Sequence, residues 1–144
     1  MAAPYSKPVS GLARVALHAA QPGTVQAVSG GMVIGTLRFL PPPSRRLDVL
    51  EILKSIQGPV SSQQGCAACH IYEEQGDDPA IVLVERWESE EALEKHVRSE
   101  AYRRILGALE LSDSAPEVSF DYVSETEGMG LIERVRSPDH KSGH

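Results

Sequence analysis

The sequence predicts an α+β domain with the element order βαββαβ, and three patterns predict it. Residues 32–126 contain four short runs rich in β-branched and aromatic residues. Between them lie segments whose apolar residues recur at helical spacing, and Gly- or Pro-rich breaks separate one run from the next.

Residues 1–31 stand outside this pattern. Pro4, Pro8, Pro22 and the Gly30-Gly31 pair interrupt them, and neither period is sustained, so they are expected to form a leader outside the core. Met32 at its edge is a candidate native start. N-terminal sequencing of protein from the native host would decide that.

The first strand is expected over Met32 to Leu40, ended by Pro41-Pro42-Pro43, which cannot donate to a ladder. Ser44 then serves as an expected N-cap. Leu47, Val49, Leu50, Leu53 and Ile56 follow at helical spacing until Gly58-Pro59 stops the pattern. A polar turn over residues 61–65 leads to a second strand from Cys66 to Glu74, and the Gly76-Asp77-Asp78-Pro79 loop joins it to a third, antiparallel strand from Ala80 to Glu88.

Ser89 with Glu90 and Glu91 marks a helix start, with acids at the positive end of the helix dipole. Leu93, His96 and Val97 share one face of that helix. Ser99 caps a second segment carrying Tyr102, Ile105, Leu106 and Leu109. After a turn over residues 112–116, Val118, Phe120 and Tyr122 alternate in a fourth strand over Glu117 to Ser124.

This order is the split βαβ plan of ferredoxin-like domains, with helices over one face of a four-stranded antiparallel sheet. The other face is left bare. Carrying residues such as Leu83 and Trp87, it is expected to be too apolar to stay wet, so a homodimer that stacks two sheets is predicted. The domain is expected to end near residue 126. The apolar segment Gly128 to Val135 then packs across the dimer interface, and residues 137–144 form an irregular tail.

The bulk numbers agree with one soluble domain plus tails. The chain has 144 residues, is 41% hydrophobic and carries a net charge of -6. That balance, with no one-sided basic stripe, argues against a nucleic-acid partner. No apolar run reaches the roughly 20 residues that span a bilayer. Leu12 to Ala20 is too short for a secretory signal and is broken by Arg14 and His18, so the expected location is the cytoplasm, with Cys66 and Cys69 reduced.

Cys66-Ala67-Ala68-Cys69-His70 matches the c-type haem attachment pattern. It is set aside because a regular strand would point Cys66 and Cys69 to opposite faces and no export signal accompanies it. No metal site is expected either: three clustered candidate ligands lack a second Cys or His pair at zinc-site spacing.

Strand alternation puts Leu83, Glu85 and Trp87 on one face. An indole beside a carboxylate suits an aromatic ligand, the ring stacking while the acid orients a hydroxyl. The plainer alternative makes Trp87 a core anchor and pairs Glu85 with an arginine across the sheet. His96 lies on an apolar helix face, unusual for the natural general base at neutral pH; a capping or core-edge role competes. His70 and Tyr72 are expected to share a face with Cys66 and Ala68, as cavity polar groups or as ordinary surface residues.

The Gly65-Cys66 turn, the run Ile81-Val82-Leu83-Val84-Glu85-Arg86-Trp87, and then His96, Ser99 and Tyr102-Arg103 resemble the antibiotic biosynthesis monooxygenase (ABM) family over about residues 32–125. The resemblance implies a dimeric α+β barrel with a cavity between each sheet and its helices. Some members oxidise quinols or polyphenols with O2 and no cofactor, others cleave haem, and others have no established activity. The haem-degrading members use an Asn on the first strand, a Trp at the end of the third and a His on the next helix. Trp87 and His96 match the last two, but the first strand reads Gly35-Thr36-Leu37-Arg38, without the Asn.

Two functions follow as expectations. The first is a cofactor-independent monooxygenase of a small aromatic or quinol-type molecule: His96 as base with His70 second, Trp87 holding the ring, Glu85 orienting it, and His70, Tyr72, Leu83 and Arg38 as substrate contacts. The second is a non-catalytic dimer binding a small ligand, haem included.

Overall fold

The computed structural model describes residues 31–138 of the chain; the leader's residues 1–30 and tail residues 139–144 lie outside the described residues. The elements are β1 (Val33–Phe39), a single 3-10 turn (Pro43–Arg45), α1 (Arg46–Ser61), β2 (Cys66–Glu73), β3 (Ile81–Trp87), α2 (Glu90–Val97), α3 (Glu100–Leu109), β4 (Glu117–Tyr122) and α4 (Met129–Arg136). The βαββαβ order is as expected, with α4 added.

The strands form one antiparallel sheet in the order β2-β3-β1-β4. β1 and β3 are central and buried at every second residue: Val33, Leu37 and Phe39 on β1, and Ile81, Leu83, Glu85 and Trp87 on β3. These residues meet Val49, Leu53, Ile56 and Val60 of α1 and Ile105, Ala108 and Leu109 of α3, and together they form the core.

The helix starts follow the sequence. Ser89 Oγ accepts from Ala92 N at 3.1 Å and Ser99 Oγ from Tyr102 N at 3.3 Å, so both hydroxyls satisfy N–H groups with no partner inside the helix. Ser44 does not cap. It sits inside the 3-10 turn, and α1 begins after Arg45 with no side-chain cap. Gly58-Pro59 does not stop α1 either, which runs to Ser61 with Pro59 inside. A proline so near the end removes one helical hydrogen bond, and the fully buried Val60 holds the last turn against the core. Leu47, Val97 and Leu106, expected on apolar faces, are exposed.

The bare sheet face differs from the expected one. Leu83 and Trp87 lie under the helices with no exposed surface. The open face carries the other alternation set, Ile34, Val82 and Val84 with Tyr72, His70 and Arg86. Both sets on β3 are apolar, so periodicity alone could not say which one the helices cover.

A bulge between Cys66 and Ala68 also changes a facing. Cys66 pairs with Trp87 and Cys69 with Glu85, so the two cysteines lie on the same, helix-covered face. His70 and Tyr72 keep company with Ala68 on the open face but not with Cys66.

On that open face Arg38 donates to both carboxylate oxygens of Glu74 at 2.5 and 2.7 Å and lies 3.3 Å from Glu117, tying β1 to the β2–β3 connection and β4. Arg38 holds the Glu74 carboxyl below its usual value of 4.5. The stabilisation is therefore complete above that value and is lost as pH falls through the lower, folded one. Melting temperature followed from pH 6 downwards should show an acid-side decline that is shallower in Arg38→Ala; identical profiles would contradict the linkage.

Candidate active site

β3 aims Glu85 and Trp87 at the helical layer, and α2 brings His96 down onto them. His96 Nε2 lies 3.0 Å from Glu85 Oε2, and Trp87 Nε1 donates to Glu85 Oε1 at 3.3 Å. The His96 ring stacks on the Trp87 indole, with centroids 4.5 Å apart and an interplanar angle of 27°, and meets Tyr102 edge-on at 5.1 Å. Gln63, from the turn between α1 and β2, places Oε1 3.0 Å from His96 Nδ1. The result is a continuous chain, Gln63–His96–Glu85–Trp87.

Glu85 is 0% and His96 1% exposed. Burying a carboxylate is expensive unless it is paired and hydrogen-bonded. Glu85 gains its compensation from an imidazole and an indole N–H; the alternative of an arginine across the sheet does not occur, since Arg38 on β1 lies on the open face, paired with Glu74 and Glu117. No buried side-chain polar atom among the described residues is left without a partner.

The hydrogen-bond pattern around His96 is complete in more than one way. With Gln63 Oε1 towards the ring, both nitrogens carry protons and an imidazolium pairs with the Glu85 carboxylate. With the Gln63 amide turned over, its NH2 donates to Nδ1, and a neutral ring donates only from Nε2 to Glu85. In the second arrangement Nδ1 is a base whose opposite nitrogen is held by a carboxylate.

The other site neighbours are electrically quiet. Burial, reinforced by Glu85, pushes the Cys69 thiol up to about 12, and burial also raises Cys66, so both stay protonated and poor nucleophiles. Cys69 is packed in the core, where its sulfur cannot reach a porphyrin edge; this replaces the facing argument against haem attachment, which the bulge removes. Burial likewise raises the Tyr102 hydroxyl well above its usual range. Among the described residues no group of three or more His, Cys, Asp or Glu could hold a metal ion.

The expected site residues thus divide across the sheet. Leu83, Glu85, Trp87 and His96 share the helix-covered layer; His70, Tyr72 and Arg38 occupy the open face, with the His70 and Tyr72 rings 6.1 Å apart and Arg38 held by acids. β1 turns only Val33, Gly35 and Leu37 towards the site, so it offers no polar group there. Gln63 was not anticipated: a polar residue in a polar turn carries no periodic signal.

Three of the surface clefts lie near the described elements. One of about 210 Å3 lies over Gln63, between Gln64, Ala92, Lys95 and Ser99. A neighbour of about 410 Å3 shares Gln64, Ala92 and Lys95 and adds Gly65, Glu88, Ser89, Glu91 and Arg98. The third, about 440 Å3, lies by Leu40–Pro43 and Asp77–Pro79 and shares no residue with them. Glu85, Trp87 and His96 line none of the three.

Against known proteins, the sequence model described as antibiotic biosynthesis monooxygenase matches residues 32–108. No curated protein matches at a significant level. Among solved structures, Rv0793 from Mycobacterium tuberculosis is 26% identical, with a TM-score of 0.60 over 67% of this chain and 99% of its own. A conserved protein from Methanosarcina mazei is 21% identical, with a TM-score of 0.59 over 65% of this chain and 94% of its own. A Caulobacter crescentus protein, provisionally described as an antibiotic biosynthesis monooxygenase, shares the fold at 15% identity, with a TM-score of 0.60 over 67% of this chain and 93% of its own.

Proposed function

The chain belongs to the antibiotic biosynthesis monooxygenase family, and from that premise we propose that it is a cofactor-independent monooxygenase oxidising a small aromatic or quinol-type substrate with O2. The observation that carries the reading is the buried Glu85–His96 pair stacked on Trp87, a base held by a carboxylate beside an aromatic face. Such a pair is costly to keep in a core where hydrophobic residues would pack as well, and base catalysis is a reason to keep it.

In this reading His96 Nδ1 takes a hydroxyl proton from the substrate, and Glu85 stabilises the imidazolium that results. The phenolate passes one electron to O2, and the radical and superoxide combine at a ring carbon. The hydroperoxide then loses water and leaves a carbonyl. The substrate supplies all four electrons, so a quinol and O2 give a hydroxyquinone and water with no other reductant. The chain's residues contribute proton removal, orientation and a dry surrounding.

An oxygen electrode with a panel of quinols and hydroxylated aromatics tests this. His96→Gln, which keeps a hydrogen-bond donor for Glu85 but no base, should lose about 10²–10⁴-fold in turnover. Equal rates in wild type and His96→Gln would remove His96 from the mechanism.

One observation favours the second reading, a ligand-binding dimer without turnover: His96 is closed off, and Gln63 and Glu85 engage both of its nitrogens. No O2 uptake across the panel, with aromatic ligands still raising the melting temperature, would move the assignment there.

The partner in either case is a second copy. Among the described residues, two apolar surfaces lack cover: the open sheet face around Ile34, Val82 and Val84, and the α4 side carrying Met129, Ile132 and Val135. Stacked sheets with α4 laid across the partner cover both. Sedimentation at micromolar concentration should give twice 15.6 kDa for wild type and a single copy for Val84→Asp; a monomeric wild type would contradict the pairing.

A further inference from the structure

We propose that the cleft over Gln63 is the ligand entrance to the buried pair, and that it takes a small hydroxylated aromatic acid whose hydroxyl displaces the Gln63 amide from His96 while its carboxylate meets Lys95 and Arg98. The inference rests on His96 being the functional group of the site.

Gln63 is the one described residue that both lines an open cleft and bonds a side chain of the Glu85–His96–Trp87 cluster. Elsewhere around the ring, Trp87 covers one face, Tyr102 packs edge-on, and Glu85 holds Nε2. On the Nδ1 side stands Gln63, a half-buried polar side chain that also lines the cleft.

That side chain can move without the backbone. The turn is fixed at both ends, with Cys66 N donating to Gln63 O at 3.1 Å and Glu88 N to Gly65 O at 2.8 Å, while Gly65 rests against Ala92 so closely that a Cβ would lie 2.5 Å from the Ala92 Cβ. Swinging Gln63 outward requires rotamer changes alone, which are fast. An incoming hydroxyl restores the lost hydrogen bond by donating to Nδ1, and the proton is then where a base needs it.

The wall chemistry selects the ligand. The 210 Å3 cleft is bounded by Ala92 and the Lys95 stem, a surface for a ring. The adjoining 410 Å3 cleft adds Arg98, and neither Lys95 nor Arg98 is in an ion pair among the described residues. Glu88 and Glu91 on that cleft's wall repel an anion, which confines a carboxylate to the Lys95–Arg98 side.

The test follows the His96 ring nitrogens by NMR while the full chain is titrated with 2,5-dihydroxybenzoate, hydroquinone or benzoate. The dihydroxy acid should shift Nδ1 and saturate. Hydroquinone should bind about fivefold more weakly, and the double substitution Lys95→Gln/Arg98→Gln should remove that difference. Gln63→Leu should bind the acid about two- to tenfold more tightly, since no hydrogen bond has to be displaced. Weaker binding in Gln63→Leu, indifference to the Lys95 and Arg98 changes, an unmoved His96, or no binding of any probe each overturns the entrance. Binding as described without O2 uptake leaves the entrance and removes the monooxygenase; O2 uptake indifferent to all the cleft variants does the reverse.

Discussion

Replacing His96 by leucine is expected to lower the unfolding free energy by about 3–5 kcal/mol, and replacing Glu85 by leucine in the same chain to recover most of that loss. The single change strands a carboxylate with 0% exposure, leaving it only the long 3.3 Å contact from Trp87 Nε1. The double change removes the charge together with its partner and fills the space with apolar atoms inside the hydrophobic core. Urea denaturation of the two single variants and the double variant gives the coupling directly. Losses that simply add would mean that Glu85 and His96 do not act as a pair. The experiment also supplies a folded protein lacking both groups, which a loss-of-activity test needs.

Gly65→Ala carries the second large effect, a loss of about 2–4 kcal/mol. Gly65 has φ +89, a left-handed conformation that costs an L residue roughly 1–2 kcal/mol, and its new Cβ would meet the Ala92 Cβ at 2.5 Å. Backbone at α2 must then shift, because neither methyl can rotate away. Ala92→Gly in the same chain should return the steric part of the loss and leave the conformational part, while adding the roughly 1 kcal/mol that glycine costs inside a helix. Since Gly65 O also holds Glu88 N, the strain should reach Gln63 and perturb His96. Thermal or urea unfolding checks the stability change; a change under about 0.5 kcal/mol, the range of an ordinary surface substitution, would contradict the close approach.

Much of this architecture is legible in the residues. Period-2 runs broken by Pro41–Pro43 and by Gly76 to Pro79 give the strands, and Ser89 and Ser99 announce their helices by a capping chemistry that is local. His96 stood out because a titratable ring on an apolar helix face is unusual, and the structure pairs it with Glu85. What stayed hidden depends on three-dimensional choices. Val82 and Val84 are as apolar as Leu83 and Trp87, so only the path of α1 and α3 decides which set is covered. The bulge after Cys66 is one residue long and has no compositional mark, yet it turns Cys66 to the core. Gln63 joins the site through a bond spanning 33 positions, beyond any local pattern.

In the proposed reaction the buried pair deprotonates an aromatic substrate, which molecular oxygen then oxidises. Incubation of a quinol with ¹⁸O2, comparing wild type with folded Glu85→Leu/His96→Leu, tests it most directly. Wild type should place one labelled oxygen in the product and one in water, and the double variant should give no product above the uncatalysed rate. Equal labelled product from both proteins, or no labelled product from wild type with any quinol, would contradict it.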